Sequence, residues 1–203
     1  MFYDNSLSKK TDMMINPVTI ETQMMIRKPV QQVFDAFIHP EISSKFWFSS
    51  STGKLEQGKT VEWTWEKYQV SSKVTVIKII ANELIQIQWG EPSSTVDFIF
   101  ETLTDDQTYL KIQNYNIALQ GDELIAFIID STGGFTTVLD SLKAYLEHNL
   151  QLNLVQDKFP PSKWRLTKAM HCSIVGKQFD SFKNQNSAPS VNYSPTRRSI
   201  YSI

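Results

Sequence analysis

The chain has 203 residues, enough for one domain with an extension, and its formal charge at pH 7 is −1. That charge is unevenly divided, because residues 1–159 hold 13 basic and 20 acidic side chains while residues 160–203 hold seven basic side chains and one acid. A composition of 41% apolar and 12% aromatic residues supports a buried core, and the longest unbroken apolar run is six residues, which excludes a wholly disordered chain and a membrane span of about 20 residues.

The N-terminal part of the chain predicts a strand followed by two short helices. Residues 1–13 are polar and are expected to be disordered. A domain over residues 14–159 then begins with a strand over Pro17–Ile26, in which alternate residues are apolar. Apolar residues recur at helical spacing over Val30–Ile38, and a second short helix is predicted over Glu41–Trp47.

The apolar period then changes from helical to two, which is typical of strands. Turn residues separate the runs, so the prediction is an antiparallel meander. In one run the apolar residues change face between Val76 and Ile77, which predicts a kink or bulge. The predicted strands are Thr60–Trp65, Val70–Ile80, Leu84–Trp89, Thr95–Thr102 and Tyr109–Ile117.

A long helical pattern closes the domain. A helical stretch over Asp122–Asp130 precedes apolar residues that repeat at helical spacing from Phe135 to Leu146. Gly133 and Gly134 lie between them, and a glycine inside a helix costs about 1 kcal/mol relative to alanine, which predicts close approach of the helix backbone to the sheet. Residues 160–203 follow as a basic tail of low order, rich in Ser, Asn, Lys and Arg.

Four segments of the predicted domain carry a resemblance to a known family. Lys28–Phe37 is similar to that family's first helix, and the stretch from His39 to Phe48 to its "T-x-P-E…W-F" helix and loop. Gly58–Trp63 is similar to its "G-G-x-F-x-W" strand, with Lys59 in place of the second glycine, and Gly133-Gly134-Phe135 with the leucines that follow to its "G-W…L-x-x-L…L" helix. The chain thus resembles the activators of heat-shock protein 90 ATPase and their homologues (AHSA-type), in the START-like superfamily, also called SRPBCC or birch-allergen-like.

The resemblance implies an α+β helix-grip fold, in which a curved antiparallel β-sheet wraps around a long C-terminal α-helix and leaves an apolar cavity. Large aromatic side chains can line such a cavity or fill it, and the sequence leaves both open. The candidate ligand-binding residues lie on the apolar strand faces, on the loop after the second helix and on the long helix: Trp47, Val61, Trp63, Trp65, Ile87, Trp89, Phe98, Phe100, Asn114, Phe135 and Leu139.

Asn114 lies on an otherwise apolar strand face, where an unsatisfied amide costs about 1–3 kcal/mol. A ligand, a backbone carbonyl or Tyr115 are the candidate partners. Trp47 and Phe48 either form a mouth over the cavity or staple the short helix to the sheet.

The sequence predicts no catalytic residues, metal or cofactor. Glu62 and Glu66 alternate with tryptophans on a strand and lie about 13 Å apart, too far for a glycosidase pair. Cys172 is the only cysteine, which excludes an intrachain disulfide and a cysteine-based zinc site. His39 and His148 lack metal-ligand spacing, as does the third histidine at position 171.

The predicted function is therefore binding of a hydrophobic or aromatic small molecule by a cytoplasmic protein that contacts neither nucleic acid nor membrane. A monomer or weak homodimer is expected. One alternative is a co-chaperone-like activator of a heat-shock protein 90 ATPase, which is disfavoured because only about a dozen and a half residues precede the first strand. The other is a cyclase- or aromatase-type enzyme, which would need an acid–base pair in the cavity.

Overall fold

The computed structural model describes residues 18–158, which form one antiparallel sheet and a long helix. The expected disordered residues 1–13 and the expected tail over 160–203 lie outside the described residues. The elements are β1 Ile20–Ile26, α1 Val30–Ile38, α2 Pro40–Ser43, β2 Ser50–Ser51, β3 Thr60–Trp65, β4 Val70–Ile80, β5 Leu84–Trp89, β6 Ser94–Thr104, β7 Gln107–Tyr115, α3 Gly121–His148 and α4 Leu154–Asp157, with one turn of 3₁₀ helix over Glu66–Tyr68.

The seven strands form one sheet in the order β1-β7-β6-β5-β4-β3-β2, and every pair is antiparallel. Strand β1 is therefore an edge strand that pairs with β7, the last described strand, and α3 packs directly against β1. An open antiparallel sheet with a long C-terminal helix is the helix-grip α+β fold that was expected. Within residues 18–158, none of the helices combines the length and the apolar character needed to cross a membrane.

The period-two pattern determines which side of each strand is buried. In β7 every second residue from Thr108 to Asn114 is buried, and β3 buries Val61, Trp63 and Trp65 while Glu62 is exposed. We call the face that carries these buried residues the inner face. In β4 the register shifts between Val76 and Lys78, which confirms the predicted irregularity.

The long C-terminal pattern forms one continuous helix, α3, of 28 residues. The glycine pair does not interrupt it. Gly134 is buried, whereas a Cβ added at Gly133 would lie 3.0 Å from the Lys158 ammonium, so at Gly133 the close neighbour is this side chain and not the sheet. Asn149, with φ of 53°, ends the helix.

The inner face carries two hydrophobic clusters. The larger one, which we call the main core, contains Ile26, Ile112, Phe135 and most of the aromatic side chains. We call the smaller one the second cluster, and its buried members are Ile20, Ile117, Leu119, Leu124 and Phe127. The second cluster joins the start of β1, the segment after β7 and the start of α3, and the main core continues along β1, β7 and α3.

Candidate functional site

The structure places all eleven predicted lining residues in the interior, each at most 6% exposed. Ten of them belong to the main core, and the eleventh, Asn114, lies on the inner face of β7. The prediction of which side chains face inward therefore agrees with the fold. That these side chains bind a ligand stays a prediction.

Six rings form a continuous aromatic cluster at the centre of the main core. The closest centroids are those of Trp47 and Trp63, at 4.7 Å, and Phe48 stacks on Trp63 at 4.9 Å. Trp65 stacks on Trp89 at 6.2 Å. We use the name aromatic cluster for Trp47, Phe48, Trp63, Trp65, Trp89 and Phe135.

Phe135 connects the helix to this aromatic cluster. Its ring centroid lies 6.0 Å from that of Trp89 and 6.4 Å from that of Trp47. Because every ring touches another, a ring-sized ligand among them requires at least one side chain to move.

Trp47 reaches the cluster from a short segment. The hydroxyl of Ser43 donates to the Ala36 carbonyl at 2.7 Å, which fixes the turn between α1 and α2. The segment after α2 places Trp47 and Phe48 in contact with the ring of Trp63, and the side chains of Trp47 and Phe48 are each 2% exposed. This placement is the one expected of a staple between the short helix and the sheet.

A small cavity borders Trp47. Its volume is about 10 Å³, close to the space that one water molecule needs. It lies between the segment after α2 and the region of α4, and its lining residues are Ser44, Lys45, Phe46, Trp47, Asn153, Val155 and Gln156.

Two indole N–H groups of the aromatic cluster have no hydrogen-bond partner among residues 18–158. They belong to Trp47 and Trp65, and both nitrogen atoms are buried. The indole of Trp89 differs, because its N–H donates to the Ser72 hydroxyl at 3.0 Å. Since the great majority of buried donors in proteins are paired, two unpaired donors in one cluster are a specific feature of this interior.

Asn114 also lacks the partners that the sequence suggested within the protein. Its side chain is 2% exposed, and its Oδ1 accepts no hydrogen bond. Tyr115 is not available, because its hydroxyl lies on the opposite face, where it donates to Asp97 at 3.1 Å and accepts from Gln86 at 3.0 Å. Burial and the Asp97 carboxylate raise the pKa of Tyr115.

Three further buried hydroxyls of the described residues share this property and were not among the sequence candidates. Thr22 on β1 and Ser131 and Ser141 on α3 are 6%, 0% and 3% exposed, and none of the three side-chain oxygens has a partner within residues 18–158. The signal for Thr22 was present, since it shares a strand face with Ile20 and Ile26. Ser131 has a weaker signal, because a single serine is common in helices.

The polar residues of the buried class in the described part of the chain carry no charge. Among residues 18–158 the buried polar side chains are Thr22, Ser43, Ser72, Ser94, Thr108, Asn114, Ser131 and Ser141, together with the hydroxyl of Tyr68. Over the same residues no three His, Cys, Asp or Glu side chains are grouped to hold a metal ion. Glu62 and Glu66 are exposed, as expected from their strand positions.

The outer face of the sheet carries an open polar groove of about 510 Å³. Gln113 donates to Glu21 there at 2.6 Å. The lining residues are Thr19, Glu21, Asp97, Gln113 and Tyr115. The groove is therefore separated from the aromatic cluster by the sheet itself.

Comparison with known proteins identifies the family. Residues 27–147 match the profile of the family described as Activator of Hsp90 ATPase homolog 1-like protein, and this match covers more than half of the chain. The chain belongs to this family. Membership in the Activator of Hsp90 ATPase homolog 1-like family confirms the resemblance stated from the four segments. No curated protein sequence matches the chain.

Solved structures support the fold of this family member. Protein SSP2350 from Staphylococcus saprophyticus is 29% identical, with a TM-score of 0.59 over 66% of this chain and 96% of that one. The Aha1 dimer from Colwellia psychrerythraea is 21% identical, with a TM-score of 0.56 over 64% and 97%. Protein MLL2253 from Mesorhizobium loti is 17% identical, with a TM-score of 0.56 over 66% and 99%.

Proposed function

We propose that the chain binds an apolar, aromatic small molecule on the inner face of the sheet, between the aromatic cluster and α3. The observation that carries the proposal is the pair of unpartnered indole donors, on Trp47 and Trp65, within a cluster that is otherwise apolar. An aromatic ring in the ligand packs against the rings of the aromatic cluster, and an acceptor oxygen in the ligand accepts hydrogen bonds from the two indole N–H groups. Family membership supports a ligand-binding role, since the resemblance implies a cavity at this place.

Entry requires a side chain to move, and Trp47 is the one held by the shortest elements. It follows α2, which has four residues, and precedes β2, which has two. The cavity of about 10 Å³ beside its ring is too small to take an indole, so the segment itself has to shift. We infer that Trp47 moves together with the segment after α2 when the ligand enters.

The test titrates two aromatic probes into the full chain and records ¹H–¹⁵N NMR spectra: 2-acetylnaphthalene, whose carbonyl oxygen can accept from the indoles, and 2-methylnaphthalene, which has the ring without an acceptor. We expect saturable shifts of the indole N–H resonances of Trp47 and Trp65, larger with 2-acetylnaphthalene than with 2-methylnaphthalene. Shifts confined to the outer groove around Tyr115, or no saturable shift, would contradict the proposal. In parallel, solvent extraction of the purified protein and mass spectrometry identify molecules carried from the host.

A pair of helix variants tests the location. Phe135→Leu keeps an apolar side chain and removes the ring that contacts both Trp47 and Trp89, so it should weaken probe binding several-fold. Ile129→Ala lies on the exposed side of the same helix, where Ile129 is 69% exposed, and should leave the affinity unchanged. Equal effects of the two variants would place the probe elsewhere.

The family description supports a second candidate, a co-chaperone that activates an Hsp90 ATPase. It is tested by measuring the ATPase rate of an Hsp90 chaperone with and without the chain. Stimulation that is unaffected by 2-methylnaphthalene would favour this candidate over ligand binding. Chemical conversion of an added hydroxylated aromatic would instead indicate an enzyme.

A further inference from the structure

Three buried polar side chains, which we call the polar seam, have unpartnered oxygens on the inner face. They are Thr22 of β1, Asn114 of β7 and Ser131 of α3, and all three are more than nine-tenths buried. Each comes from a different element. Ser141 of α3 also has an unpartnered buried hydroxyl, but it lies between Leu139 and Leu142 of the main core and is not part of the seam. An interior normally pairs such groups, so the three on neighbouring elements need a common explanation.

The seam lies at the boundary between the two hydrophobic clusters. On α3, Ser131 is one turn after Phe127 of the second cluster and one turn before Phe135 of the main core. Asn114 of β7 lies between Ile112 of the main core and Ile117 of the second cluster, which follows the end of the strand.

Strand β1 follows the same order. Thr22 lies between Ile20 of the second cluster and Ile26 of the main core. Because α3 packs on β1 and β1 pairs with β7, the three elements that carry these boundaries are neighbours.

The strand register determines the spacing between Thr22 and Asn114, the two seam residues that lie on strands. Asn114 pairs with Ile20 and Thr22 pairs with Ile112, so Thr22 and Asn114 are diagonal neighbours on one face. Diagonal neighbours lie about 7–8 Å apart between Cα atoms. Their side-chain oxygens bond neither to each other nor to another described residue.

Ser131 does not use the usual partner of a helical hydroxyl. Thr136 and Thr137 on the same helix donate to the carbonyls four residues earlier, at 2.7 and 2.8 Å. The Ser131 hydroxyl makes no such bond and stays unpaired on the buried side. It is therefore free to bond to a group held between helix and sheet.

We propose that the polar seam binds a hydroxyl group of the ligand, distinct from the acceptor oxygen that pairs with the indoles of Trp47 and Trp65, so that the molecule is an aromatic phenol or alcohol. A hydroxyl has one donor and two acceptor lone pairs. It donates to Asn114 Oδ1 and accepts from the hydroxyls of Thr22 and Ser131, which satisfies all three side chains at once. A carboxylate or ammonium does not fit, because the three side chains are neutral and an uncompensated buried charge is costly.

This inference rests on the proposed binding of an aromatic molecule, and the test separates the two. It compares 2-naphthol with 2-methylnaphthalene, in which a methyl group replaces the hydroxyl. We expect 2-naphthol to bind more tightly and to shift the side-chain NH₂ resonances of Asn114, which 2-methylnaphthalene should shift less.

Conservative variants complete the test. Thr22→Val and Ser131→Ala should each lower the affinity for 2-naphthol by about two- to tenfold, the effect of one neutral hydrogen bond, and leave 2-methylnaphthalene unchanged. Thr108→Val is the matched control, because Thr108 is a buried threonine whose hydroxyl already donates to the Lys28 carbonyl at 2.9 Å.

The outcomes distinguish the two proposals. Equal affinity for both probes, with no response of Asn114, would overturn the seam and leave aromatic binding standing. Failure of both probes to bind saturably would overturn both. A probe-bound crystal structure with only water between the three side chains would also overturn the seam.

Discussion

The carboxylate of Glu147, in the last turn of α3, accepts a hydrogen bond of 2.8 Å from the backbone N–H of Arg27, just beyond β1. Lys143, one turn earlier, donates to the same carboxylate at 2.6 Å and to the Met25 carbonyl at 2.7 Å. The Glu147 side chain is only 6% exposed. This contact joins residues 120 positions apart and holds the end of the helix against the edge of the sheet.

Glu147→Gln should therefore destabilise the protein. The substitution keeps the shape and removes the charge that strengthens bonds to Arg27 and Lys143, and hydrogen bonds to charged groups contribute about 1.5–3 kcal/mol. We expect a loss of about 1–3 kcal/mol in the free energy of unfolding, measured by urea denaturation. The control is Glu101→Gln on the exposed outer part of β6, which should change stability by less than about 0.5 kcal/mol.

The same carboxylate predicts a pH dependence. Burial acts to raise the pKa of Glu147, but hydrogen bonds from the Arg27 N–H and Lys143 outweigh it and hold the pKa below its usual 4.5. A group with a lowered folded-state pKa stabilises the protein above the unfolded-state pKa, and this contribution is lost as pH falls through the folded-state value. The difference in unfolding free energy between wild type and Glu147→Gln should be constant above about pH 5 and shrink below 4.5. A difference that grows toward low pH would contradict the assignment.

The sequence predicted the inner face well because strand periodicity alone determines it. Trp63, Trp65 and Asn114 alternate with polar residues, so their burial follows from a period of two. The two-residue β2 and the four-residue α4 were not predicted, since elements this short have no period to detect.

The hydrogen-bond partners of the buried polar groups could not be predicted from the sequence. A buried threonine hydroxyl can donate to a carbonyl only if the segment packed against it provides one. Of Thr108 and Thr22, only Thr108 has such a partner. The bond between Glu147 and Arg27 likewise depends on where a helix ends against a strand 120 residues away. Long-range geometry of this kind leaves no local pattern.

Two glycines of α3 should respond to alanine in opposite directions. At Gly133 the added Cβ would meet only the end of the flexible Lys158 side chain, at 3.0 Å, so the side chain can shift and the gain in helix propensity should stabilise by about 0.5–1 kcal/mol. Gly121 has φ of +56°, where an L-residue is strained, and Gly121→Ala should destabilise by about 1 kcal/mol despite open space around it. Thermal unfolding of both variants checks this, and stabilisation by both would show that helix propensity alone decides.

The polar seam makes a prediction about the ligand-free protein, prepared by unfolding and refolding to remove small molecules. Thr22→Val replaces an unpartnered buried hydroxyl with a methyl group of the same shape, which removes a desolvation cost of about 1–3 kcal/mol. The variant should therefore be more stable than the wild type. Thr108→Val is the matched change on the paired strand and should lower stability, because it leaves the Lys28 carbonyl without its hydrogen bond. If Thr22→Val lost as much stability as Thr108→Val in urea denaturation, the Thr22 hydroxyl would have a partner in the ligand-free protein and would not be reserved for a bound molecule.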